Sequence, residues 1–342
     1  MIDHATSHAH LEAFLGRRGR TVTDLTDQVA DSFGEPLLVV AAGSVQQGFG
    51  NEESDVDLLV FVDAQVTNIP ISSHVLGLPV DVNYLSTDWA RAADALLAGE
   101  PWDGELVTRS DWKDSLRRFQ RLGRLAVSLP LAGTATWRGW LAGLAEPVTE
   151  YAAHWWTREC LRQRTAARLR RDTDPLLAAQ RYCDAGLAAL EVAAARAGEL
   201  YVGAKWIEAK LERGAAPEYL DAYRFLMATP TTAAEAKRYH DAAEELLDSL
   251  LHLPGDPVVQ LALMPDVERH EIRGRTLLHR WGMRGLESRS PDFAVPAANG
   301  AVWRGPAGAL DGDAALLVGQ GLVWLSVADA DGPAEERKGE DA

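Results

Sequence analysis

The sequence predicts an α+β protein with strands at the two ends of the chain and helices between them. Up to Ser86, apolar residues form short runs or alternate with polar ones, which is the pattern of strands. From Ser86 to about Leu253 they recur at helical spacing. Beyond Pro254, short apolar runs separated by Gly-rich breaks indicate a few strands and small hairpins.

The length of the chain predicts more than one domain. Its 342 residues exceed a typical single domain, and 47% of them are apolar, which is enough for sizeable cores. We place boundaries at the breaks Gly99-Glu100-Pro101 and Pro254, which gives a first domain over residues 1–98, a helical domain over 99–253 and a small region with strands over 254–330. Residues 331–342 (DGPAEERKGEDA) have no apolar anchor and are expected to be disordered.

A terminus, two helices and three strands are expected in the first domain. Residues 1–20 mix His, Arg and Gly and are predicted to form a frayed terminus. A helix is predicted over 23–33, because Leu25 and Val29 share one helical face. The stretch 37–63 contains two strands separated by a polar loop. Residues 70–74 are predicted as a connection and 75–85 as a further strand.

The helical domain is predicted to be one bundle, since no repeat period recurs that would indicate a solenoid. A helix with a capping Ser86 and an Asp in its first turn ends the first domain, and the long alanine-rich helix of the bundle begins at Asp174-Pro175. The predicted helices are 87–97, 110–127, 136–144, 149–171, 175–197, 201–212, 217–227 and 231–253. After Pro254, a helix is predicted near 276–283, and strands are predicted at 301–303, 314–318 and 322–327.

Charge and cysteine content exclude several classes of function. The formal charge of −16 disfavours a nucleic-acid partner, because binding a phosphate backbone needs clustered Lys and Arg, and it suits a cationic or neutral small substrate. Cys160 and Cys183 both lie in helical patterns, which disfavours a disulfide framework or a zinc site. No signal sequence or apolar span is recognisable, so we expect a cytoplasmic protein without a membrane partner.

The stretch from Leu37 to Asp63 carries the candidate chemistry. An apolar strand ends at Gly43-Ser44, and a second apolar run begins around Asp55 and Asp57. Residues two apart on a strand point to one face, so these two carboxylates project together and repel each other unless a cation lies between them. Mg²⁺ is usually held by one or two carboxylates plus substrate phosphates. The Gly-Ser turn offers those phosphates close backbone approach and a hydroxyl.

A third acidic residue follows on the next strand. Asp81 lies between the apolar Val80 and Val82, so alternation points the two valines to one face and the carboxylate to the other. An isolated Asp-x-Asp pair is common on solvent-facing strands. The pair together with a preceding Gly-Ser turn and a third acid is a much rarer combination.

These residues resemble the signature of the DNA polymerase β-like nucleotidyltransferase superfamily, which is Gly-Ser, a spacer, Asp-x-Asp and a third acid on a later strand. The resemblance covers about the first quarter of the chain. It implies an α+β fold with an N-terminal mixed-sheet nucleotidyltransferase core, followed here by an all-helical bundle and a small C-terminal α/β extension. It also implies transfer of a nucleoside monophosphate from a triphosphate with release of pyrophosphate.

The resemblance assigns a role to each motif residue. Asp55 and Asp57 are the expected ligands of two Mg²⁺ ions, while Gly43 and Ser44 are expected to hold the β- and γ-phosphates of ATP or another NTP. Asp81 either completes the metal site or accepts the proton of the acceptor hydroxyl, and both roles stay open at this point.

A lysine candidate comes from a shorter similarity. The segment Gly203–Ile207 resembles the place where antibiotic nucleotidyltransferases with a helical C-terminal domain carry a lysine that contacts phosphate. Lys205 is therefore the predicted phosphate ligand, with Lys210 as its neighbour. The competing interpretation is that Lys205 is a solvated helix lysine.

Two functions remain open from the sequence. The architecture resembles aminoglycoside adenylyltransferases, which are antibiotic-resistance enzymes, and an acidic surface suits a polycationic small-molecule acceptor such as an aminoglycoside or a biosynthetic intermediate. The region after Pro254 has no counterpart in those enzymes. The alternative is therefore a nucleotidyltransferase-fold module that modifies or binds a protein or peptide partner, by AMP transfer or in an antitoxin-like or regulatory role.

Overall fold

The computed structural model describes residues 4–33, 36–63, 70–75, 77–99, 108–214, 218–280, 286–288, 301–310 and 312–327. The predicted tail at 331–342 lies outside these residues. The chain divides into two compact units, each discontinuous in sequence. Unit 1 comprises Met1–Glu100, Leu116–His154 and Glu191–Leu220, and unit 2 comprises Pro101–Ser115, Trp155–Leu190 and Asp221–Ala342. The domain boundaries proposed above at residues 98 and 253 stay a prediction.

Unit 1 contains a five-stranded sheet in the order β3-β4-β2-β1-β5. Its strands are β1 Leu38–Ala42, β2 Val56–Val62, β3 Pro70–Val75, β4 Leu78–Ser86 and β5 Leu129–Gly133. β2 and β4 are parallel, and the other neighbours are antiparallel. The sheet is therefore mixed, and the predicted α+β class with a mixed-sheet core is confirmed.

Two strands of this sheet were not predicted. Residues 70–74, expected to be a connection, form most of the strand β3, which lies at the edge of the sheet and, among the described strands, pairs with β4 alone. Proline is tolerated as the first residue of an edge strand, because its missing N–H costs no hydrogen bond between strands there, and Pro70 occupies that position. The polar residues Ser72, Ser73 and His74 interrupt the apolar pattern by which a strand is recognised in sequence. β5 contains Pro130 and lies between two segments with helical patterns, so it was not recognised as a strand. Its register against β1 shifts between Val39 and Val40.

The chain forms eleven helices within the described residues. They are α1 His4–Gly16, α2 Val22–Phe33, α3 Thr87–Ala98, α4 Arg109–Ala126, α5 Ala135–Ala142, α6 Ala145–Arg170, α7 Pro175–Arg196, α8 Ile207–Arg213, α9 Glu218–Met227, α10 Ala233–Leu250 and α11 Gly312–Gly319. The predicted cap of α3 is confirmed, since the Ser86 hydroxyl accepts a hydrogen bond from the Trp89 amide. Among these described elements, no helix is long and apolar enough to cross a membrane.

The expected frayed N-terminus is instead the helix α1. Its side chains Leu11, Phe14 and Leu15 are at most 2% exposed and belong to the core of unit 1. The three residues are spaced i, i+3 and i+4, which places them on one helical face. The prediction was wrong because a short apolar patch among polar residues does not show what it packs against.

The core of unit 1 fixes the orientation of β2 and β4. Val56, Leu58 and Val80 are buried in one cluster with α1 and α2 residues, and Val82 belongs to the same cluster. Because side chains alternate along a strand, Asp57 and Asp81 project from the opposite face. The predicted split between Asp81 and its flanking valines is therefore confirmed.

Unit 2 contains two three-stranded sheets. The first has the order β10-β6-β11 and the second β7-β8-β9, with β6 Val258–Leu263, β7 Val267–Ile272, β8 Arg275–Arg280, β9 Leu286–Ser288, β10 Ala301–Pro306 and β11 Val323–Val327. Residues of the first sheet, of α11 and of α6 bury one common core. The predicted strands in this C-terminal region are present at 301–303 and 322–327.

Two elements of unit 2 differ from the prediction. The helix expected near 276–283 is β8 over its described part, and it forms a hairpin with β7 through Arg273 and Gly274, both at positive φ. A two-residue turn with two positive φ angles usually contains Asn-Gly or Asp-Gly, so the sequence Arg-Gly did not indicate a hairpin turn. The strand expected at 314–318 is α11, because a short apolar run has no distinguishing period.

Candidate functional site

The three predicted carboxylates lie together in unit 1. The parallel register of β2 and β4 pairs Asp57 directly with Asp81, and Asp55 precedes Asp57 by two residues at the start of β2. All three residues are half-buried. The sheet thus brings together two acids from one motif and one from a strand more than twenty residues further on.

The electrostatics of this cluster centre on Asp57. Burial raises the pKa of its carboxyl from 3.8 to about 6; the Arg124 cation opposes the shift, and the charges of Asp55 and Asp81 add to it. Asp57 is therefore a desolvated carboxylate crowded by two others, and bringing a cation close would stabilise its charged form.

The donor set fits a hard divalent cation that also binds substrate. Across the described residues, no group of three or more His, Cys, Asp or Glu side chains is arranged so that it could hold a metal ion. Mg²⁺ seldom uses such an all-protein cage and more often takes one or two carboxylates together with substrate phosphates. The carboxylates of Asp55 and Asp57, with Asp81 beside them, match that second arrangement.

Gly43 makes room for the Asp57 carboxylate. It is buried at the end of β1, has φ +120°, and a Cβ built on it would lie 1.9 Å from Oδ2 of Asp57. Because β1 pairs Ala42 with Asp57, the carboxylate lies directly against the Gly-Ser turn. A side chain at residue 43 would collide with the acid, so glycine is required by close approach as well as by φ.

The loop after Gly43 folds back onto Ser44. The Ser44 carbonyl accepts hydrogen bonds from the Phe49 amide at 2.9 Å and the Gly50 amide at 3.0 Å. Gln47 donates its side-chain N–H to the Val127 carbonyl at 2.8 Å. These bonds give the segment 44–50 a defined backbone around the half-buried Ser44.

Arg213 anchors the same loop and was not predicted. Its guanidinium donates to the Gln47 carbonyl at 2.5 Å and to Gln47 Oε1 at 3.3 Å, and it pairs with Glu199. It also lies over the Phe49 ring, 4.2 Å from the centroid. Sequence reasoning had no signal for this contact, because Arg213 and Gln47 are 166 residues apart.

Arg124 is a second functional candidate that the sequence did not single out. It lies in the last turn of α4, with Nη1 3.6 Å from Oδ1 of Asp57. The basic character of this helix was visible, but only the folded chain shows which arginine reaches the carboxylates. A guanidinium at this position has donors for a phosphate as well as for Asp57.

Tyr201 is also close to the carboxylates. The residue is 5% exposed. Burial raises the pKa of its hydroxyl, with Arg124 opposing the shift and the charges of Asp57 and Asp55 adding to it. No sequence motif marked this tyrosine, and it remains protonated at neutral pH as a hydrogen-bonding group near the acids.

Of the two predicted lysines, only Lys205 is accessible. It lies in a short 3₁₀ turn, Ala204–Trp206, with Nζ 4.5 Å from the centroid of the Trp206 ring. Trp206 in turn stacks on Phe49 at 5.2 Å, which places Lys205 beside the loop that follows Ser44. A phosphate contact by Lys205 stays a prediction.

Lys210, the neighbour of Lys205, belongs to the core. It is 0% exposed, and its Nζ lies 2.5 Å from Oε2 of Glu191, which is itself 3% exposed. A fully buried and paired ammonium has no face to offer a substrate phosphate, so Lys210 is a structural residue.

No family model matches the chain, and no curated protein matches it either. Among solved structures, the crystal structure of a nucleotidyltransferase-like protein from Exiguobacterium sibiricum is similar at 14% identity and a TM-score of 0.31. The match covers 66% of this chain and 75% of that one. The function of this chain is therefore inferred from the arrangement of its own residues.

Proposed function

We propose that the chain transfers a nucleoside monophosphate, AMP from ATP, to a hydroxyl group of a small-molecule acceptor in a Mg²⁺-dependent reaction. The observation that carries the proposal is the close approach of Gly43, Asp57 and Asp81, in which a glycine without room for a Cβ faces a carboxylate paired in register with another acid. A phosphate-binding turn and a carboxylate cluster at one place suit the transfer of a phosphoryl group that carries a nucleoside.

Asp55 and Asp57 would hold the metal, and Asp81 lies beside them. Bound there, Mg²⁺ would neutralise charge on the triphosphate and on the carboxylates. The raised pKa of Asp57 supports this assignment, because a desolvated acid beside two others favours a bound cation. The residues of the chain would bind and orient the triphosphate around that position.

The phosphates would be bound by backbone and cationic groups. Gly43 and Ser44 offer an amide and a hydroxyl to the β- and γ-phosphates, and the loop anchored by Arg213 keeps them in place. Arg124, close to Asp57, and Lys205, beside the loop, supply positive charge for the triphosphate.

At the α-phosphorus the reaction makes one bond and breaks one. The acceptor oxygen forms a bond to the α-phosphorus, the bond from that phosphorus to the bridging β-oxygen breaks, and pyrophosphate leaves. The hydroxyl proton goes to a base, and we assign this role to Asp81 because its carboxylate projects from the sheet face that carries Asp57.

The proposal is tested by incubating the protein with each labelled NTP and Mg²⁺ against aminoglycosides, nucleosides, peptides and proteins. A mass increase of one nucleoside monophosphate on a small molecule, lost in Asp55→Asn and Asp57→Asn, supports the proposal. Transfer to a peptide or protein alone would show that the acceptor belongs to that class and is not a small molecule. Unchanged transfer by either variant would contradict the assignment of Asp55 and Asp57 as metal ligands.

The base role of Asp81 has a separate test. In Asp81→Asn, we expect kcat to fall by ~10²–10⁴-fold while the Mg²⁺-dependent affinity for NTP is nearly kept. Calorimetric titration of NTP and Mg²⁺ measures the affinity. A collapse of metal-dependent NTP binding would instead identify Asp81 as a metal ligand.

A further inference from the structure

Unit 2 contains a pocket of about 310 Å³ whose charged lining is entirely cationic among the described residues. Five arginines line it: Arg109, Arg162, Arg170, Arg181 and Arg280. The chain as a whole carries a net charge of −16, so composition alone does not explain such a cluster. Converging guanidinium groups are a typical way for proteins to bind an anion.

Arg162 is held rigidly at this pocket. Its Nε and Nη2 donate to the two carboxylate oxygens of Glu159 at 2.8 and 2.6 Å. The guanidinium lies over the rings of Trp112 and Trp324, 5.3 and 4.4 Å from their centroids, and the residue is 8% exposed. A cation fixed in this way loses little conformational freedom when it binds a ligand.

Arg170 occupies a space that only glycine leaves open. A Cβ built on Gly319, at the end of α11, would lie 1.1 Å from Nη2 of Arg170. Burial lowers the pKa of Arg170, and the Arg181 charge lowers it further against the opposing effect of Asp174. The partner Asp174 is 3.5 Å away, so Arg170 is a crowded and poorly neutralised cation.

Arg181 and Arg280 are each paired with one acid that does not line the pocket. Arg181 lies 3.3 Å from Asp184 and donates to Gln163 at 3.2 Å. Arg280 lies 2.5 Å from Asp266 and donates to a backbone carbonyl at 3.3 Å. A guanidinium has five N–H donors, so these pairs leave donors for a ligand.

Apart from Gln163 and two glycines, the rest of the lining is apolar. It includes the ring of Trp324 and the aliphatic side chains of Leu177, Met264 and Val323. A ligand that matches the whole pocket has an anionic head for the arginines and an apolar or aromatic body for these walls. The volume lies at the lower end of the range for small-molecule sites.

We propose that this pocket binds a small organic phosphate, with its phosphate at the arginines and its body against Trp324 and the aliphatic walls. A phosphate monoester carries about 1.5 to 2 negative charges and three acceptor oxygens, more than a single carboxylate offers. Guanidinium groups bind such oxygens in bidentate pairs. The inference does not depend on the function proposed for unit 1.

The probe for this site is phenyl phosphate, titrated calorimetrically into the full chain without Mg²⁺. Inorganic phosphate and phenol serve as the two halves of the probe. We expect saturable binding of phenyl phosphate with one site per chain, and much weaker binding of either half. Asp57→Asn should leave the affinity unchanged, which separates this pocket from the carboxylate site.

Two variants test the lining without removing a core residue. Arg181→Gln removes one cation, and we expect Kd to rise about tenfold, as for the loss of one charge-assisted hydrogen bond. Gly319→Ala should displace Arg170 with a similar rise in Kd, because the group in its way is the mobile end of a side chain. Arg224→Gln is the matched control, since Arg224 forms the same kind of pair with Asp221 at 3.1 Å but is 63% exposed.

Several outcomes would overturn the inference. The first is the lack of saturable binding of phenyl phosphate, and the second is an unchanged Kd in both Arg181→Gln and Gly319→Ala when thermal melts show both variants folded. A third is an equal rise in Kd for Arg224→Gln. Inorganic phosphate binding as tightly as phenyl phosphate would remove the role of the apolar walls. If a phosphopeptide bound the protein and phenyl phosphate did not displace it, the ligand would be a phosphopeptide and not a small organic phosphate.

Discussion

Asp57 is the residue at which burial, charge and backbone geometry act together. Its carboxylate lies against Gly43, beside Asp81 in register and 3.6 Å from Arg124. Each of these neighbours changes its behaviour in a different way. Gly43 leaves space for the Asp57 carboxylate. The charges of Asp81 and Asp55 oppose the ionisation of Asp57, and the charge of Arg124 favours that ionisation.

The raised pKa of Asp57 predicts a pH dependence of stability. Asp57 ionises in the unfolded chain near the ordinary pKa of 3.8, but in the folded protein only near 6. Between these pH values the folded state binds more protons than the unfolded state, so the free energy of unfolding contributed by Asp57 falls as pH rises through this window. We expect Asp57→Asn to lack this fall.

Thermal melts of the wild-type and Asp57→Asn proteins across this pH range, with a chelator present, measure the difference. The melting temperature of the variant relative to wild type should rise with pH and level off above the folded pKa. Added Mg²⁺ should stabilise the wild type more than the variant at neutral pH. Parallel curves at all pH values would contradict the desolvated environment assigned to Asp57.

Gly43→Ala should be damaging for two separate reasons. The new methyl group would lie 1.9 Å from Oδ2 of Asp57, and residue 43 has φ +120°. We expect a loss of about 1–3 kcal/mol in the free energy of unfolding from the backbone conformation alone, with further loss from the contact. Activity should fall as severely as in Asp57→Asn, because the methyl group displaces the carboxylate.

Gly77→Ala is the matched control for this variant. Gly77 also has positive φ, at +77°, but a Cβ there would have no atom within 4 Å. Chemical denaturation and turnover assays on both variants separate backbone strain from the collision. If Gly77→Ala lost as much activity as Gly43→Ala, the contact with Asp57 would not be the cause.

At the scale of elements, the loop over residues 44–50 depends on α8, the helix that follows Lys205. Arg213, the last residue of α8, donates to Gln47 twice and lies over Phe49. Phe49 stacks on Trp206, and the Phe49 amide closes the loop onto Ser44. A distant helix therefore positions the turn that we propose to bind phosphate.

Arg213→Lys should loosen this loop without unfolding unit 1. Lysine keeps the charge but has neither the forked donors for Gln47 nor the planar group that stacks on Phe49. We expect the amides of Phe49 and Gly50 to exchange hydrogen faster, and KM for the NTP to rise more than kcat falls. Hydrogen exchange followed by mass spectrometry measures the first effect.

Arg196→Lys is the control, because Arg196 lies in the same unit, at the end of α7, and is exposed. Its substitution should change neither the exchange of the loop amides nor KM. Equal exchange in wild type and Arg213→Lys would show that the loop is held by its own hydrogen bonds.

At the scale of the whole molecule, the net charge of −16 acts on any charged ligand. Each unit contains a buried apolar cluster, and positive charge is concentrated at specific places such as the five-arginine pocket of unit 2. An acidic chain attracts cations through long-range fields that salt screens. This property bears directly on the proposed acceptor.

The charge predicts a salt dependence for polycationic acceptors. If the acceptor is an aminoglycoside, KM should rise several-fold between ~0.01 M and ~0.3 M salt, because the Debye length shortens from ~30 Å to less than 10 Å. A neutral nucleoside acceptor should show little change. Initial rates at fixed ATP and Mg²⁺ measure both, and a flat response for the polycation would remove the electrostatic argument for this acceptor class.

The sequence by itself determined the local features of the site. Alternation in β2 and β4 placed Asp57 and Asp81 on the face opposite their apolar neighbours, and the Gly43-Ser44 turn was recognised ahead of them. The helix caps and most helix bounds followed in the same way. Such features depend on residues a few positions apart, so their pattern can be recognised in the sequence without knowledge of the fold.

Only the tertiary structure decided which distant groups complete the site. Three side chains from helices and turns far along the chain reach the carboxylates or the loop beside them: Arg124, Tyr201 and Arg213. The edge strands β3 and β5 form because the neighbouring strands offer unpaired backbone N–H and C=O groups. Lys205 and Lys210, alike in sequence, separate into an exposed cation and a buried pair. Periodicity reports the face on which a side chain lies, whereas its partner is set by long-range packing and burial.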